Sequence, residues 1–412
     1  MSANKTCVVI GASHGGVNFG TALRKEGWEG KIILIDKDPE IPYHRPPLSK
    51  AYLTSPLGIE AYQLKSKESY VKDSIQLKLG VSVNSIDKEK QELTLSDGSV
   101  QSYDILVMAT GARPIIPPIK GIKTATNLYP LRTAKDVENI QTALLNASTK
   151  DVVVIGGGYI GLETAASLKK MGAEVTVLER EERILARVTA PEMSTFFEEL
   201  HSSNNVSVLT TKNVVAIETE NGINTVVCAD GTSYKASVIV VGVGILVNTE
   251  LASSIGLTLE NGIKVDETAK TSNATIYAIG DCSYHFNPHY NRYIRLESVQ
   301  NAVDQAKVAA AAICGKKTVY NTIPWFWSDQ YNVKLQMVGL SQGYNQVLMR
   351  KEEDLKFSIW YFKDETLLAV DAVNNAKAYV VGTKFIKENA TIDKEKLVDT
   401  SVVFKPAELL KS

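Results

Sequence analysis

Glycines set at fixed spacing before a single acid occur twice in this chain. Gly156, Gly158 and Gly161 stand in a G-x-G-x-x-G pattern, and Glu179 follows 18 residues after Gly161. Gly11, Ser13 and Gly16 repeat the pattern with serine at the middle position, and Asp36 follows 20 residues after Gly16. The chemistry such a pattern serves is the holding of a dinucleotide. The first glycine lets the chain turn, the second lets a pyrophosphate approach the backbone, and the third lets a helix pack closely. The helix start aims N–H groups and a positive dipole end at the phosphates. The acid accepts the hydroxyls of a ribose. Ser13 is small, and its hydroxyl offers a donor to phosphate. His14 reads as a turn residue beside a phosphate rather than as an acid–base group. With Gly15, Tyr159 and Ile160 it completes the two candidate binding turns.

The elements that must position these residues are short apolar strands. Cys7–Ile10 and Val152–Ile155 precede the glycines, and Lys31–Ile35 and Glu174–Leu178 lead to the acids. Each has the pattern of a buried parallel strand, with a helix expected between the two members of each pair. Two dinucleotide folds call for two dinucleotides. Two nicotinamides would leave no electron acceptor, so the natural pair is FAD in one fold and a nicotinamide in the other.

Further candidates lie along the chain. A Pro-rich loop, 42–53, carries Arg45 and Lys50. Its prolines stiffen it, as a rigid surface loop or as a holder of Lys50 near a flavin. An apolar strand over 103–109 runs into Ala109, Thr110 and Gly111, where the backbone would graze a cofactor and then leave the domain. Glu179 at a strand tip repels a 2′-phosphate and favours NADH, whereas Arg180 and Arg183 would attract one; Arg180 also suits stacking on adenine. Strand 237–243 ends at Gly242 and Gly244, where a nicotinamide would lie against backbone. Strand 276–279 ends at Gly280 and Asp281, a carboxylate placed for a ribityl chain. Residues 295–314, from Arg295 through Glu297, Ser298 and Val299 to Cys314, read as a buried helix whose positive end would face a flavin pyrimidine. Trp327 reads either as a flavin-stacking ring or as core. His285 and His289 sit four apart without acids at ligand spacing, so no metal is expected.

The whole chain has 412 residues, enough for two or three domains. Apolar residues make up 44% and the net charge is −1, so no basic field calls for nucleic acid or an anionic membrane. No apolar run approaches a membrane span, and residues 1–7 lack a signal-peptide core; a cytoplasmic protein is expected. Cys7, Cys228, Cys282 and Cys314 are scattered, with no C-x-x-C, which counts against a dithiol relay. Residues 324–412 alternate over 333–338, 346–350, 357–362 and 367–373, then turn helical over 376–388: an antiparallel sheet with helical cover.

Eight runs carry a resemblance. PPLSKAYL (46–53), ATGARP (109–114), VVIGGGYIGLE (153–163), RVTAPEMSTFFEELH (187–201), GDC (280–282), ESVQNA (297–302), PWFWSDQY (324–331) and GLSQGY (339–344) are spread over nearly the whole sequence. The chain resembles the ferredoxin reductases that serve cytochrome P450 and Rieske oxygenase systems. That resemblance implies an α/β, three-layer, glutathione-reductase-like fold. It has two Rossmann-like domains for FAD and NAD, the first interrupted by the second, and an α+β C-terminal domain. The expected boundaries are 1–113 and 247–323 for FAD, 114–246 for NAD and 324–412 for the C-terminal domain. It implies that Gly15, Asp36, Lys37, Lys50, Val83, Arg132, Asp281 and Val299 contact FAD. Lys50 would sit near flavin N5, paired with Glu163 on the nicotinamide side, and Trp327 near the isoalloxazine. NADH would reduce FAD, and a [2Fe–2S] ferredoxin would take the electrons. Such ferredoxins are acidic, which makes Arg292, Arg295, Lys316, Lys317 and Lys334 candidate docking cations. A monomer or weak dimer is expected. A rival is an NADH-dependent reductase or oxidase acting on a small molecule, of the monodehydroascorbate type or on oxygen. Oxidase and peroxidase relatives use a cysteine shortly after the second strand, and 36–50 has none. A non-enzymatic flavoprotein that binds nucleic acid would want a basic surface that this composition lacks.

Overall fold

The computed structural model describes residues 3–411. The chain divides into two compact units. The first comprises Met1–Arg45, Leu57–Arg113 and Ile245–Pro324; the second comprises Pro46–Pro56, Pro114–Gly244 and Trp325–Ser412.

The first unit is built on a five-stranded parallel sheet in the order Ile276–Ala278, Ile105–Met108, Thr6–Ile10, Lys31–Asp36, Ile75–Leu79. Side chains alternate across it, as a strand requires. Val8, Ile10, Ile33, Ile35, Leu106 and Met108 face one core, and Cys7, Val9, Ile32, Leu34 and Val107 face the other. Helices His14–Lys25 and Val299–Ile313 cover the second face; Ala306, Ala309 and Ala310 pack into a core shared with Val17, Phe19 and Leu23. A three-stranded antiparallel sheet, Val83–Asp87, Glu92–Leu95 and Val100–Ser102, covers the first face through Ile86, Leu93 and Leu95. Meander, sheet and helices make three layers.

The second unit repeats the plan. Its parallel sheet runs Ser207–Leu209, Glu174–Leu178, Asp151–Ile155, Val238–Val241, Leu128–Pro130. A meander of Val214–Glu220, Ile223–Cys228 and Ser233–Ala236 closes one face, with Ile217, Val226, Cys228 and Ala236 against Val153, Ile155, Ile239 and Val241. The same unit holds a five-stranded antiparallel sheet in the order Trp325–Gln330, Val333–Gly339, Thr366–Val373, Lys356–Lys363, Gln346–Glu353. Helix Ala376–Glu388 lies on it, close enough at Gly382 that a methyl group there would press on Val370 and Val338.

Strand Trp325–Gln330 is the element that apolar patterning misses. Its first three residues are all aromatic and half-buried, so they show no alternation. Only Ser328 and Gln330 reveal the period of two, by being buried on one face. Arg350, 2% exposed, gathers the C-terminal segment by donating to the carbonyls of Leu397, Asp399 and Val402 at 2.9, 2.7 and 2.9 Å.

Candidate functional site

The two glycine turns share the hydrogen bond and backbone angle of the first glycine and the close packing at the third. Gly11 N–H donates to the Ile35 carbonyl at 2.8 Å, and Gly156 N–H donates to the Leu178 carbonyl at 2.9 Å. Gly11 has φ +105° and Gly156 φ +112°, and a Cβ at either would press on the carbonyl of the neighbouring strand's end, Ala109 or Gly242. A Cβ at Gly16 or Gly161 would strike the carbonyl of the first glycine of its own turn. No residue but glycine fits these four places.

The middle position differs. Gly158 has φ −80° and a Cβ there would meet only open space, and Ser13 occupies the equivalent place at φ −91°. The serine therefore costs the backbone nothing. Its Oγ accepts from Arg45 Nε at 3.3 Å, and Arg45 also donates to Tyr43 Oη at 2.6 Å and lies 4.4 Å over the Tyr43 ring. A guanidinium at the phosphate turn suits a pyrophosphate. Neither Ser13 nor Gly158 caps its helix with a side-chain bond, whereas Ser298 and Thr133 cap theirs.

The acids are anchored alike. Asp36 Oδ2 accepts from Ala12 N–H at 2.6 Å and Oδ1 from Asp38 N–H at 2.9 Å. Glu179 Oε2 accepts from Gly157 N–H at 2.7 Å and Oε1 from Glu181 N–H at 2.8 Å. A carboxylate has about four acceptor sites, so each acid is oriented by its own turn and keeps capacity for a ribose diol. Both cradles fit a dinucleotide.

Other predicted residues of the first unit fall near that turn or at neighbouring strand ends. Thr110 Oγ1 donates to the Asn248 carbonyl and Asn248 Nδ2 to the Thr110 carbonyl, both at 2.8 Å, which fixes the exit at Gly111 (φ +59°). His14 Nε2 lies 3.3 Å from His44 Nδ1, and burial holds His44 below the usual histidine range. Lys37 is exposed, and Val83 and Asp281 are half-buried. Gly280 (φ +76°) donates its N–H to Gln305 Oε1 at 2.8 Å. Gln305 Nε2 lies 3.0 Å from His285 Nδ1, and burial pushes the His285 imidazole down to about 4. Gln305, a residue the sequence reading missed, thus positions the Gly280–Asp281 turn from within helix Val299–Ile313. Glu297 is exposed and pairs with Arg295 at 2.7 Å. Lys316 pairs with Glu26 at 2.5 Å, so Arg295 and Lys316, both candidate docking cations, each already carry an acid. No cluster of three or more His, Cys, Asp or Glu able to hold a metal occurs among the described residues.

The second unit brings together Lys50 and Glu163. Glu163 is 1% exposed on helix Tyr159–Lys170. Its Oε2 accepts from Lys50 Nζ and from Ser49 Oγ, both at 2.6 Å, and its Oε1 accepts from Ser328 Oγ at 2.6 Å. Ser167, one turn further along the same helix face, donates its hydroxyl to the Ser49 carbonyl at 2.7 Å. The i, i+4 pair therefore grips the Pro46–Ser49 turn from two sides, and Lys50 projects from a fixed loop. Ser49 and Ser328 were not legible as site residues; only their place beside Glu163 reveals them. Tyr159 turns its ring to Phe326 (5.3 Å) and its hydroxyl to Met337 Sδ (3.0 Å), while Ile160 is 46% exposed. Burial, then the charges of Asp371 and Glu163, push the Tyr159 phenol up. Arg180 is exposed and pairs with Glu181 at 2.9 Å. Arg132 is half-buried, and Trp327 is half-buried against Trp325 at 5.5 Å. Gly244 has φ +115° beside Ile115 and Arg187.

Comparison with known proteins decides the lineage. The family model for pyridine nucleotide-disulphide oxidoreductases matches residues 5–306. The chain belongs to that family. A second family model, for the reductase C-terminal region, matches residues 325–407. Putidaredoxin reductase CamA of Pseudomonas putida is 40% identical over 411 residues, covering 98% of this chain and 97% of that one. Rhodocoxin reductase of Rhodococcus erythropolis is 39% identical over 402 residues, covering 97% and 93%. Among solved structures, the covalent putidaredoxin reductase–putidaredoxin complex matches with TM-score 0.93 at 40% identity, covering 98% of this chain and 97% of that one. The ferredoxin reductase for the CYP199A2 system of Rhodopseudomonas palustris matches with TM-score 0.94 at 36% identity, covering 98% and 100%. This member of the family is an oxidoreductase with two Rossmann-like domains and an α+β C-terminal region. The disulphide of the family's name has no counterpart here: Cys7, Cys228, Cys282 and Cys314 are unpaired, and burial pushes the Cys7 thiol up. No helix among the described residues is long and apolar enough to cross a membrane.

Proposed function

We infer that the protein is an FAD-dependent NADH:ferredoxin reductase that feeds a cytochrome P450 or related oxygenase. The observation that carries this is the doubled dinucleotide cradle, with a Lys50–Glu163 pair whose carboxylate is buried and no cysteine pair among the described residues. FAD and NADH are the cofactors. When bound, FAD accepts a hydride from NADH and releases electrons one at a time, as a [2Fe–2S] acceptor requires. The first cradle takes FAD: Gly11, Ser13, Gly15 and Gly16 admit the pyrophosphate, Arg45 faces it, Asp36 binds ribose and Asp281 the ribityl chain. The start of helix Val299–Ile313 offers its positive end to the flavin pyrimidine. The second cradle takes NADH through Gly156, Gly158, Gly161 and Glu179. Lys50 is the cation for the negative charge that reduction places on the flavin, and Glu163 orients Lys50. With the cofactors supplying the redox chemistry, no side chain of this chain would need to act as a general base. Lys37, Val83, Arg132 and Trp327 are proposed as further flavin contacts, and 1–113 with 247–323, 114–246 and 324–412 as the FAD, NAD and C-terminal domains. The partner is an acidic [2Fe–2S] ferredoxin, the compartment cytoplasmic, and the protein a monomer or weak dimer. Full-length relatives named as putidaredoxin and rhodocoxin reductases support the reading.

The test is NADH-driven cytochrome c reduction with and without a panel of [2Fe–2S] ferredoxins, with oxygen uptake recorded in parallel. Strong dependence on one ferredoxin is expected. Equal rates without ferredoxin, or oxygen as the main acceptor, would move the protein to the small-molecule reductases.

A further inference from the structure

Glu163 has partners that the reaction as described does not use. Its Oε1 accepts from Ser328 Oγ at 2.6 Å, and the contacts continue beyond Ser328. Gln330 Nε2 lies 3.3 Å from Ser328 Oγ, and Gln330 Oε1 lies 2.8 Å from His201 Nε2. His201 Nδ1 lies 3.1 Å from Tyr331 Oη. Ser328, Gln330 and His201 are 1%, 2% and 0% exposed and Tyr331 is half-buried, so water is kept from the line between Glu163 and His201.

The direction of every bond follows from its one fixed end. A carboxylate in an ion pair only accepts, so Ser328 donates to Glu163. The Ser328 oxygen then accepts from the Gln330 amide. The Gln330 carbonyl therefore faces His201, whose Nε2 must carry the proton. That leaves Nδ1 to accept from the Tyr331 hydroxyl. The arrangement needs a neutral His201, and burial holds its imidazole below the usual range.

The local structure is built for this line. Ser328 and Gln330 share a face of strand Trp325–Gln330 because they are two residues apart. Tyr331 begins the two-residue turn to Val333 with φ +54°, a region that an aromatic residue occupies only at a cost. A glycine or asparagine would relieve the backbone there but would remove the hydroxyl that His201 accepts from.

We propose that Ser328, Gln330, His201 and Tyr331 form a one-way chain of hydrogen-bond donors that ends on Glu163 and fixes the Lys50–Glu163 pair. These are positioning residues: none is assigned to touch cofactor or substrate. The chain holds Oε1 so that Oε2 stays on Lys50, and polarised donors in series strengthen the last bond. The function given to it rests on the reductase reading above; the direction of the chain does not.

The test uses the holoenzyme. In wild type, nitrogen NMR of 15N-histidine-labelled protein should show His201, assigned by loss of its signal in His201→Phe, as the neutral Nε2–H tautomer. A proton on Nδ1 overturns the chain whatever the enzyme does. Anaerobic stopped-flow mixing with NADH then reads the consequence. Ser328→Ala should lower the limiting rate of flavin bleaching about tenfold while changing the NADH dissociation constant less than about threefold. Ser328→Thr, which keeps the hydroxyl, should restore it. His201→Phe should slow bleaching less, and the double variant should match Ser328→Ala within about twofold, because both substitutions cut one line. An unchanged rate in Ser328→Ala, or additive losses in the double variant, overturns the proposal and leaves the reductase assignment standing. A wild-type holoenzyme that NADH does not bleach overturns the reductase assignment, and the tautomer still decides the chain.

Discussion

Lys50 is 18% exposed in its side chain while its partner Glu163 is at 1%, so the pair is a cation held at the edge of a buried anion. Deleting the cation should therefore act on charge development more than on binding. Lys50→Met is expected to slow anaerobic flavin reduction by NADH at least about tenfold with a smaller change in the NADH dissociation constant; stopped-flow titration checks both. Glu179 tests cofactor choice. Its oxygens are turned by Gly157 N–H and Glu181 N–H, and Glu179→Gln keeps an acceptor for one of them while removing the charge. NADPH should then gain about tenfold relative to NADH in the specificity ratio of ferredoxin-dependent turnover.

At the scale of the element, the two glycine turns make opposite demands at neighbouring positions. A Cβ at Gly161 meets the Gly156 carbonyl, whereas one at Gly158 meets nothing. Gly161→Ala should push the helix off the sheet and lower the thermal midpoint, with a cost of about 1–3 kcal/mol from overpacking. Gly158→Ser should leave the midpoint within about a degree and weaken only NADH binding, because Ser13 already shows that the turn accepts this residue. Thermal unfolding with NADH titration separates the two. Strand Trp325–Gln330 makes the converse point. Its aromatic residues concealed its period, and its two polar ones carry the donors to Glu163 and His201.

At the largest scale, the second unit ties the segment at Thr189 and Ala190, just ahead of helix Pro191–Ser203, to its antiparallel sheet through a buried carboxyl. Asp371 Oδ2 accepts from Thr189 Oγ1 at 2.7 Å and from Tyr361 Oη at 2.5 Å, and Tyr361 Oη accepts from Ala190 N–H at 3.1 Å. Burial pushes the Asp371 carboxyl up to about 6 from an ordinary 3.8, against those hydrogen bonds, which lower it. The folded state thus holds the proton more tightly than the unfolded chain. The stability this contributes is full below the unfolded value and is lost as pH rises through the folded one. Relative to Asp371→Asn, wild type should lose about 3 kcal/mol in all between about pH 3 and about pH 7, most of it between about 4 and 6, and stay level above; thermal unfolding of both proteins across that window is the check.

Most of the nucleotide-binding architecture was legible because local sterics dictate it. A glycine at positive φ against a carbonyl admits no other side chain, so spacing alone announced both turns, their strands and the acids at Asp36 and Glu179. The β-strands of residues 333–373 were legible as short apolar runs between breaks, but the expected alternation fails in Lys356–Lys363 and Thr366–Val373, which are buried on both faces. What the sequence could not carry is which distant residues share an atom's neighbourhood. Ser49, Ser328 and Glu163 lie up to 279 positions apart, and nothing local in a serine marks it as a donor to a buried carboxylate. Gln305 under Gly280 and Tyr361 beside Thr189 are of the same kind. Backbone strain is settled within a few residues, and so it is written in the sequence. The satisfaction of a buried polar group is settled by whatever the fold brings alongside it, and only the tertiary structure could decide that.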